Sequence, residues 1–482
     1  MERQGITASL FTYPDQRVGG GYFLLLAGLP SRPSRPENTL KREVTLVLDR
    51  SGSMRGEKIK QAREAARQII AGLKPGEAFN IMVYSNTVES FAPGPVIKNE
   101  QTEARAHRYI EGITATGGTN IYDALNSALG QAPVQGMLPM VLFLTDGLPT
   151  VGQRDETAIR SLVTKANPHK RRVFTFGVGF DVNAPLLDRL AEASRARAAY
   201  VLPHEDVEVR VGKVFASLAG PILADPRLRV LEKDGALALG RTRDILPATL
   251  PDLFAADQLI LLGQYIGTEP LNFEVKGNFQ GKETRFTYEF DLNKASQRNG
   301  FVPRLWASRK IAELIDIIRQ MGADPATSGS DPKVKELTDE IVRLSTEFGI
   351  LTEYTAFLAR EGTALHDHPH VLRETTRRLS SRAMRDRVGM SGLNQSANVK
   401  QQKSQVSLNY NNFYLNEQLE RVGIDTVQQI NDLAFYYKEN RWVDSRLARN
   451  TLQSKPDRVI RFGSDAYFDL ARKLARQGRQ AS

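Results

Sequence analysis

Residues 43–218 predict an α/β domain built on a doubly wound, mostly parallel sheet, flanked by an all-β module, helices and a C-terminal tail region. Three observations carry this reading. Short apolar runs at 44–48, 78–84, 139–145 and 172–178 alternate with stretches whose apolar residues recur at helical spacing. The runs have almost no polar face, as strands covered on both sides require. After Pro221 the alternation stops, and short strands with glycine turns follow without helices between them.

In chain order, residues 6–12 and 22–27 read as two strands around a glycine-rich turn, and 31–38, SRPSRPEN, as a linker. Helices are expected at 56–73, 120–130, 157–165, 185–193 and 208–219, between strands at 44–48, 78–84, 139–145, 172–178 and 200–202. A short strand-like pair is expected within 88–97. The first helix is the clearest, with Ile59, Ala62, Ala66, Ile69, Ile70 and Leu73 on one face and Pro75 to stop it. Strands follow at 227–231, 259–265, 271–275 and 284–290, then helices at 301–321 and 334–345. YTAFLA at 354–359 reads as a buried strand, 373–387 as a basic helix, and the Gln/Asn/Ser-rich stretch 390–412 as a linker or disordered. A hairpin at 431–444 turns at Glu439-Asn440, a strand covers 459–462, and a helix closes the chain at 465–476. Trp306 and Trp442 read as core anchors. The domains expected are 1–40, 43–218, 221–360, 361–412 and 413–482. The two ends of an α/β domain lie near each other, so the N-terminal strands are expected to pack with the segment after Pro221, and the domain to be inserted into a β-sandwich.

The 482 residues exceed one compact core. There is no cysteine, which excludes disulfides, thiolate metal sites and cysteine nucleophiles. No apolar run is long enough to cross a bilayer, and no signal peptide is visible. The formal charge of +10 is uneven: from Val371 onward there are 20 Lys/Arg and 11 Asp/Glu, against 45 and 44 before it. Arg373, Arg377, Arg378, Arg382 and Arg385 form a basic stripe, but without interleaved aromatics it does not indicate specific nucleic-acid binding. His366, His368 and His370 in HDHPH have chelating spacing but no further fixed ligand, and read as a solvated loop.

The chemistry concentrates in LVLDRSGSM, residues 46–54. Asp49 ends a strand at its carboxyl end, where open α/β sheets bind ligands, and Ser51 and Ser53 follow. Two other loops are expected at the same edge: TGGTN at 116–120 and TDG at 145–147. Asp49, Ser51, Ser53, Thr119 and Asp146 then converge, all offering oxygen. That set suits a hard divalent cation, Mg²⁺ first, with Mn²⁺ or Ca²⁺ as substitutes. Three hydroxyls can bind directly and two carboxylates through water. The electron-poor ion then seeks one more anionic oxygen, which an Asp or Glu of a protein partner can supply. Other readings stay open at this point: helix capping by Ser51 or Ser53, and phosphoryl transfer through Asp49. No histidine stands in a hydrolase triad context, and TGGTN lacks the lysine of a phosphate loop.

"LVLDRSGSM…GEKI", "TATGGTNIYDAL" and "VLFLTDG" resemble the von Willebrand factor type A domain with a complete metal-ion-dependent adhesion site. The resemblance implies a Rossmann-like fold over about 43–218. Ser51, Ser53 and Thr119 would contact the metal directly, and Asp49 and Asp146 through water. "GYFLLLAGLP", "LPDLFAADQLILLGQY", "RLWASRKIAELI", "LSTEFGILTEYTAFLA" and "RWVDSRL…VIRFGSDAYFDLA" are similar to bacterial relatives of the inter-alpha-trypsin inhibitor heavy chains. Those proteins carry a β-rich domain ahead of the metal-binding one, and this chain starts at about that domain's end. An upstream export signal would place the protein in the cell envelope or beyond; without one the expectation is cytoplasmic. The function expected is non-enzymatic, Mg²⁺-dependent adhesion-type capture of a partner carboxylate. The alternatives are a phosphoryl-transfer enzyme using Asp49 and a cofactor protein docking an AAA+ ATPase.

Overall fold

The computed structural model describes residues 7–28, 40–218, 221–254, 257–279, 281–430, 433–448 and 457–476. It opens on an antiparallel hairpin, β1 (Thr7–Asp15) and β2 (Gly20–Gly28). The α/β unit follows as β3 (Lys41–Asp49), α1 (Glu57–Gly72), β4 (Ala78–Tyr84), β5 (Val88–Ser90), β6 (Val96–Ile97), α2 (Glu100–Glu111) and α3 (Ile121–Gly130). It continues with β7 (Met137–Thr145), α4 (Glu156–Lys165), β8 (Arg172–Val178), α5 (Ala184–Ala193), β9 (Ala198–Val201) and α6 (Val207–Ser217).

Among the described residues these strands make one sheet in the order β5-β4-β3-β7-β8-β9, with β6 beside β4. The five strands from β4 to β9 are parallel, and β5 and β6 run antiparallel at one edge. Successive side chains of a strand point to opposite faces. Leu46 of β3 therefore enters a core with Ile69, Phe174 and Phe215, while its neighbour Val47 enters another with Leu125, Phe143 and Leu187. Helices thus cover both faces. Helix α2 was not foreseen: it buries only Ala106 and Ile110. Its sequence signal lies in the cap instead, where the Asn99 side chain accepts from Thr102 N.

The all-β segment comprises β10 (Pro221–Leu231), β11 (Thr242–Leu246), β12 (Leu253–Phe254), β13 (Gln258–Ile266), β14 (Leu271–Phe279) and β15 (Lys282–Phe290). Two four-stranded sheets result, β1-β2-β13-β11 and β12-β10-β14-β15. Strand β2 is central in the first and pairs with β13 from Gly20 to Gly28, with Leu25 opposite Leu261. Phe23, Leu25, Leu261, Phe273 and Val275 share the core between the sheets, the rings of Phe23 and Phe273 being 5.3 Å apart. The α/β unit is therefore inserted between two strands of a sandwich, as expected from the sequence.

Four helices follow: α7 (Phe301–Met321), α8 (Pro332–Phe348), α9 (His368–Arg378) and α10 (Gly389–Ser404). Helix α7 is buried on nearly all sides. Trp306 anchors it to the sandwich through Nε1 to Asp244 O at 3.1 Å, and Arg319 ties it to Asp188 of α5 at 3.4 Å. The chain then forms β16 (Tyr414–Leu415), β17 (Arg421–Val422), β18 (Val427–Ile430), β19 (Leu433–Lys438), β20 (Arg441–Asp444), α11 (Ser445–Ala448) and α12 (Asp465–Arg476).

Several expectations are corrected. The stretch 390–412 is not a disordered linker: its first part is α10, which buries Asn394, Gln395, Ser396 and Asn398. Asn394 and Asn398 both donate to Glu353 at 3.0 Å, and Tyr354 OH donates to Gln395 at 2.7 Å. A helix held by side-chain hydrogen bonds has no apolar stripe to announce it. YTAFLA is buried as expected, but Ala356–Ala359 is a 3-10 turn and no strand. Residues 459–462 have no regular structure. Trp442 stands exposed against Tyr437 instead of anchoring a core. The basic helix is α9 continued by a π-helical turn, Leu379–Met384, and its Arg382 is an inward partner of Glu353 at 2.9 Å. His368 opens α9 and pairs with Asp339 at 2.7 Å, so HDHPH is only partly a loop. The linker 31–38 and the ends at Ile6 and Asn431 lie outside the described residues.

Phe23→Ala removes a fully buried ring from the strand that joins the chain's start to the sandwich. Chemical denaturation should show a loss of about 3–5 kcal/mol; a loss below about 1 kcal/mol would mean that the hairpin does not hold the sandwich together.

Candidate metal centre

From β3 the chain steps to β4 on one side, then returns to β7 on the other. The loops leaving β3 and β7 diverge, and a crevice opens outside their carboxyl ends. Asp49 is the last residue of β3, and Thr145 the last of β7, with Asp146 next.

Asp49 has no exposed surface. Its Oδ1 accepts from Ser51 N at 2.8 Å, and its Oδ2 from Thr145 Oγ1 at 2.8 Å and Tyr84 OH at 3.2 Å. Burial pushes this carboxyl above the usual range, against the pull of the Ser51 and Thr145 hydrogen bonds, and the nearby Asp146 charge adds to the rise. Ser51 Oγ lies 3.0 Å from Ser53 Oγ, and Ser53 Oγ donates to Asp146 Oδ1 at 2.7 Å. Lys58, in the first turn of α1, reaches Asp146 Oδ2 at 2.6 Å.

The third loop is laced to the first two through the backbone. Thr116 N donates to Arg50 O at 2.7 Å, and Gly52 N to Gly117 O at 2.9 Å. Thr119 N donates to Thr150 Oγ1 at 2.8 Å. Gly118 allows this approach: a Cβ there would stand 2.5 Å from Val151 Cγ2. Ser53 Oγ and Thr119 Oγ1 lie 3.8 and 3.9 Å from the point where a Cβ on Gly147 would stand, so both hydroxyls border one small space. All five residues singled out from the sequence thus gather at one crevice.

The capping reading fails. Ser51 precedes the short Gly52–Met54 turn and Gly56 precedes α1, and neither position makes a side-chain cap bond. Tyr84, Thr145 and Lys58 were not assigned roles from the sequence. Tyr84 had a signal in register, since it ends β4 directly beside Asp49. Among the described residues no group of three or more His, Cys, Asp or Glu is placed to hold a metal. The donors here are three hydroxyls and two carboxylates, a hard-oxygen set that fits Mg²⁺, Mn²⁺ or Ca²⁺ and offers nothing to a soft metal.

A carboxyl held above its unfolded value stabilises the fold at low pH and ceases to do so as pH rises through the native value. In EDTA, the melting temperature of Asp49→Asn relative to the parent should therefore be highest at neutral pH and fall on acidification. A difference constant with pH would show that Asp49 carries no burial penalty.

Residues 42–199 match the family model of the von Willebrand factor type A domain. Among curated proteins, inter-alpha-trypsin inhibitor heavy chain H4 of Homo sapiens is 26% identical over 364 residues, covering 71% of this chain and 38% of that protein. Heavy chain H6 of Homo sapiens is 27% identical over 367 residues, covering 71% of this chain and 26% of that protein. The chain thus spans about a third of the length of these curated relatives. A solved von Willebrand factor type A structure from Catenulispora acidiphila superposes with a TM-score of 0.49 and 16% identity, over 72% of this chain and 88% of that one. The central α/β unit of this protein is a von Willebrand factor type A domain, in a chain related to the inter-alpha-trypsin inhibitor heavy chains.

Proposed function

We propose that this protein is a Mg²⁺-dependent protein-binding module in which Asp49, Ser51, Ser53, Thr119 and Asp146 form a metal-ion-dependent adhesion site. The three hydroxyls hold the cation directly, and the two carboxylates hold its water. When bound, the cation supplies an electrophilic seat for an anionic oxygen. The residues of this chain fix that seat at the rim of the sheet, where an Asp or Glu of a protein partner reaches it. The observation that carries the reading is the meeting of three hydroxyls and two carboxylates from three loops at the point where the strand order reverses.

Binding is favoured over catalysis by the state of Asp49. A phosphoryl-accepting carboxylate needs a free oxygen facing its substrate. Oδ2 of Asp49 already accepts from Tyr84 and Thr145 and Oδ1 from Ser51 N, so the buried carboxylate is held fixed, with one lone pair of Oδ1 left for a water.

Calorimetric titration of the full chain with Mg²⁺ tests the site. Ser51→Ala and Thr119→Ala should weaken Mg²⁺ by about tenfold or more, equivalent to at least about 1.4 kcal/mol. Mg²⁺ should raise the melting temperature of the parent more than that of either variant. On a peptide array, retained sequences should contain Asp or Glu and be released by EDTA. Equal Mg²⁺ affinity in parent and variants would overturn the metal site, and EDTA-resistant capture would overturn the carboxylate mechanism.

A further inference from the structure

The end of the chain combines positive charge with exposed apolar side chains. Residues 441–482 contain ten Lys/Arg and four Asp/Glu, a net +6 of the chain's +10. The same segment displays Trp442, Leu447, Val459, Phe462, Phe468 and Leu470 as exposed large apolar side chains, with Val459 and Phe462 each 83% exposed. Helix α12 sorts these features by face. Tyr467, Phe468, Leu470, Ala471 and Leu474 lie along one side, and Asp465, Asp469, Arg472, Lys473 and Arg476 along the other. None of its residues is buried. The aromatic contacts of Tyr467 are with its chain neighbours Phe462 and Phe468.

We propose that α12 and the segment leading into it form a docking surface for an anionic lipid bilayer. An apolar helix face must leave water, and Phe and Leu backed by Arg and Lys is the pattern of a helix lying in the plane of a membrane interface. No helix among the described residues is long and apolar enough to span a bilayer, so α12 lies on the surface. The charge selects the occupant. A second copy of this chain would bring the same positive segment against the first. A nucleic acid offers phosphates for Arg472, Lys473 and Arg476 but no apolar medium for Phe468 and Leu474. Anionic headgroups over acyl chains satisfy both faces, and each Lys or Arg near such a surface adds to the attraction.

Co-sedimentation of the full chain with phosphatidylcholine vesicles, with and without phosphatidylglycerol, tests this. The parent should pellet with the anionic vesicles about tenfold more than with phosphatidylcholine alone, and less at high salt. Phe468→Glu with Leu474→Glu should abolish pelleting, and Arg472→Glu with Arg476→Glu should abolish the preference for phosphatidylglycerol. Both variants should keep the parent's melting temperature, because the helix is exposed. Absence of vesicle binding, or equal binding to both compositions, would overturn the proposal. So would a parent dimer that the Phe468/Leu474 variant converts to monomer, since a second copy would then cover the face.

Discussion

Two carboxylates, Asp49 and Asp146, stand buried at the ends of adjacent parallel strands, and the architecture around them answers that constraint. Buried charge is costly unless it is hydrogen-bonded or paired. Asp49 is met by a backbone N–H and two hydroxyls, Asp146 by Ser53 and Lys58. Their partners come from the loop after β3, the first turn of α1 and the ends of β4 and β7, which meet at one edge because the strand order reverses between β3 and β7. The sheet's topology and its polar edge are thus two sides of one arrangement.

A similar rule governs the contact between the type A domain and the helices behind it. Arg387 pairs with Glu156 at the start of α4, Arg319 with Asp188 of α5 at 3.4 Å, and Lys403 with Glu192 of α5 at 2.9 Å. Breaking one member of such a buried pair is costly because its partner is left uncompensated. The contact is therefore specific in orientation. Glu156 follows closely on the loop that carries Asp146, so the site loop is braced from the C-terminal half of the chain.

The type A domain was legible because its strands are nearly pure apolar runs and its polar residues stand at their ends. Asp49, Ser51, Ser53, Thr119 and Asp146 lie in three short motifs, each fixed by the strand or glycine turn beside it. Helix α10 was not legible, because Asn394, Gln395, Ser396 and Asn398 give a buried helix the composition of a disordered one. Their partners, Glu353, Tyr354 and Asp188, are remote in sequence, so no local window contains the reason for burial. Helix α2 was missed for the opposite cause: it is so exposed that only its cap marks it. Trp442 failed because hydrophobicity alone does not tell a core residue from an exposed one.

The insertion of the type A domain into the sandwich has a mechanical meaning. The start of β3 and the end of α6 lie together, with the Arg42 guanidinium 4.7 Å from the Phe215 ring centre, at the end of the sheet opposite the crevice. At that far end Arg172 of β8 is clamped by Asp252 at 2.6 Å and Asp225 at 3.0 Å, both in the sandwich segment. Tension on anything held at Asp49 therefore runs along the length of β3. That strand is flanked by β4 and β7, paired in parallel on either side. Such a load shears two ladders of hydrogen bonds together instead of unzipping one bond at a time. The domain is wired to its support through a strand paired in parallel on both sides.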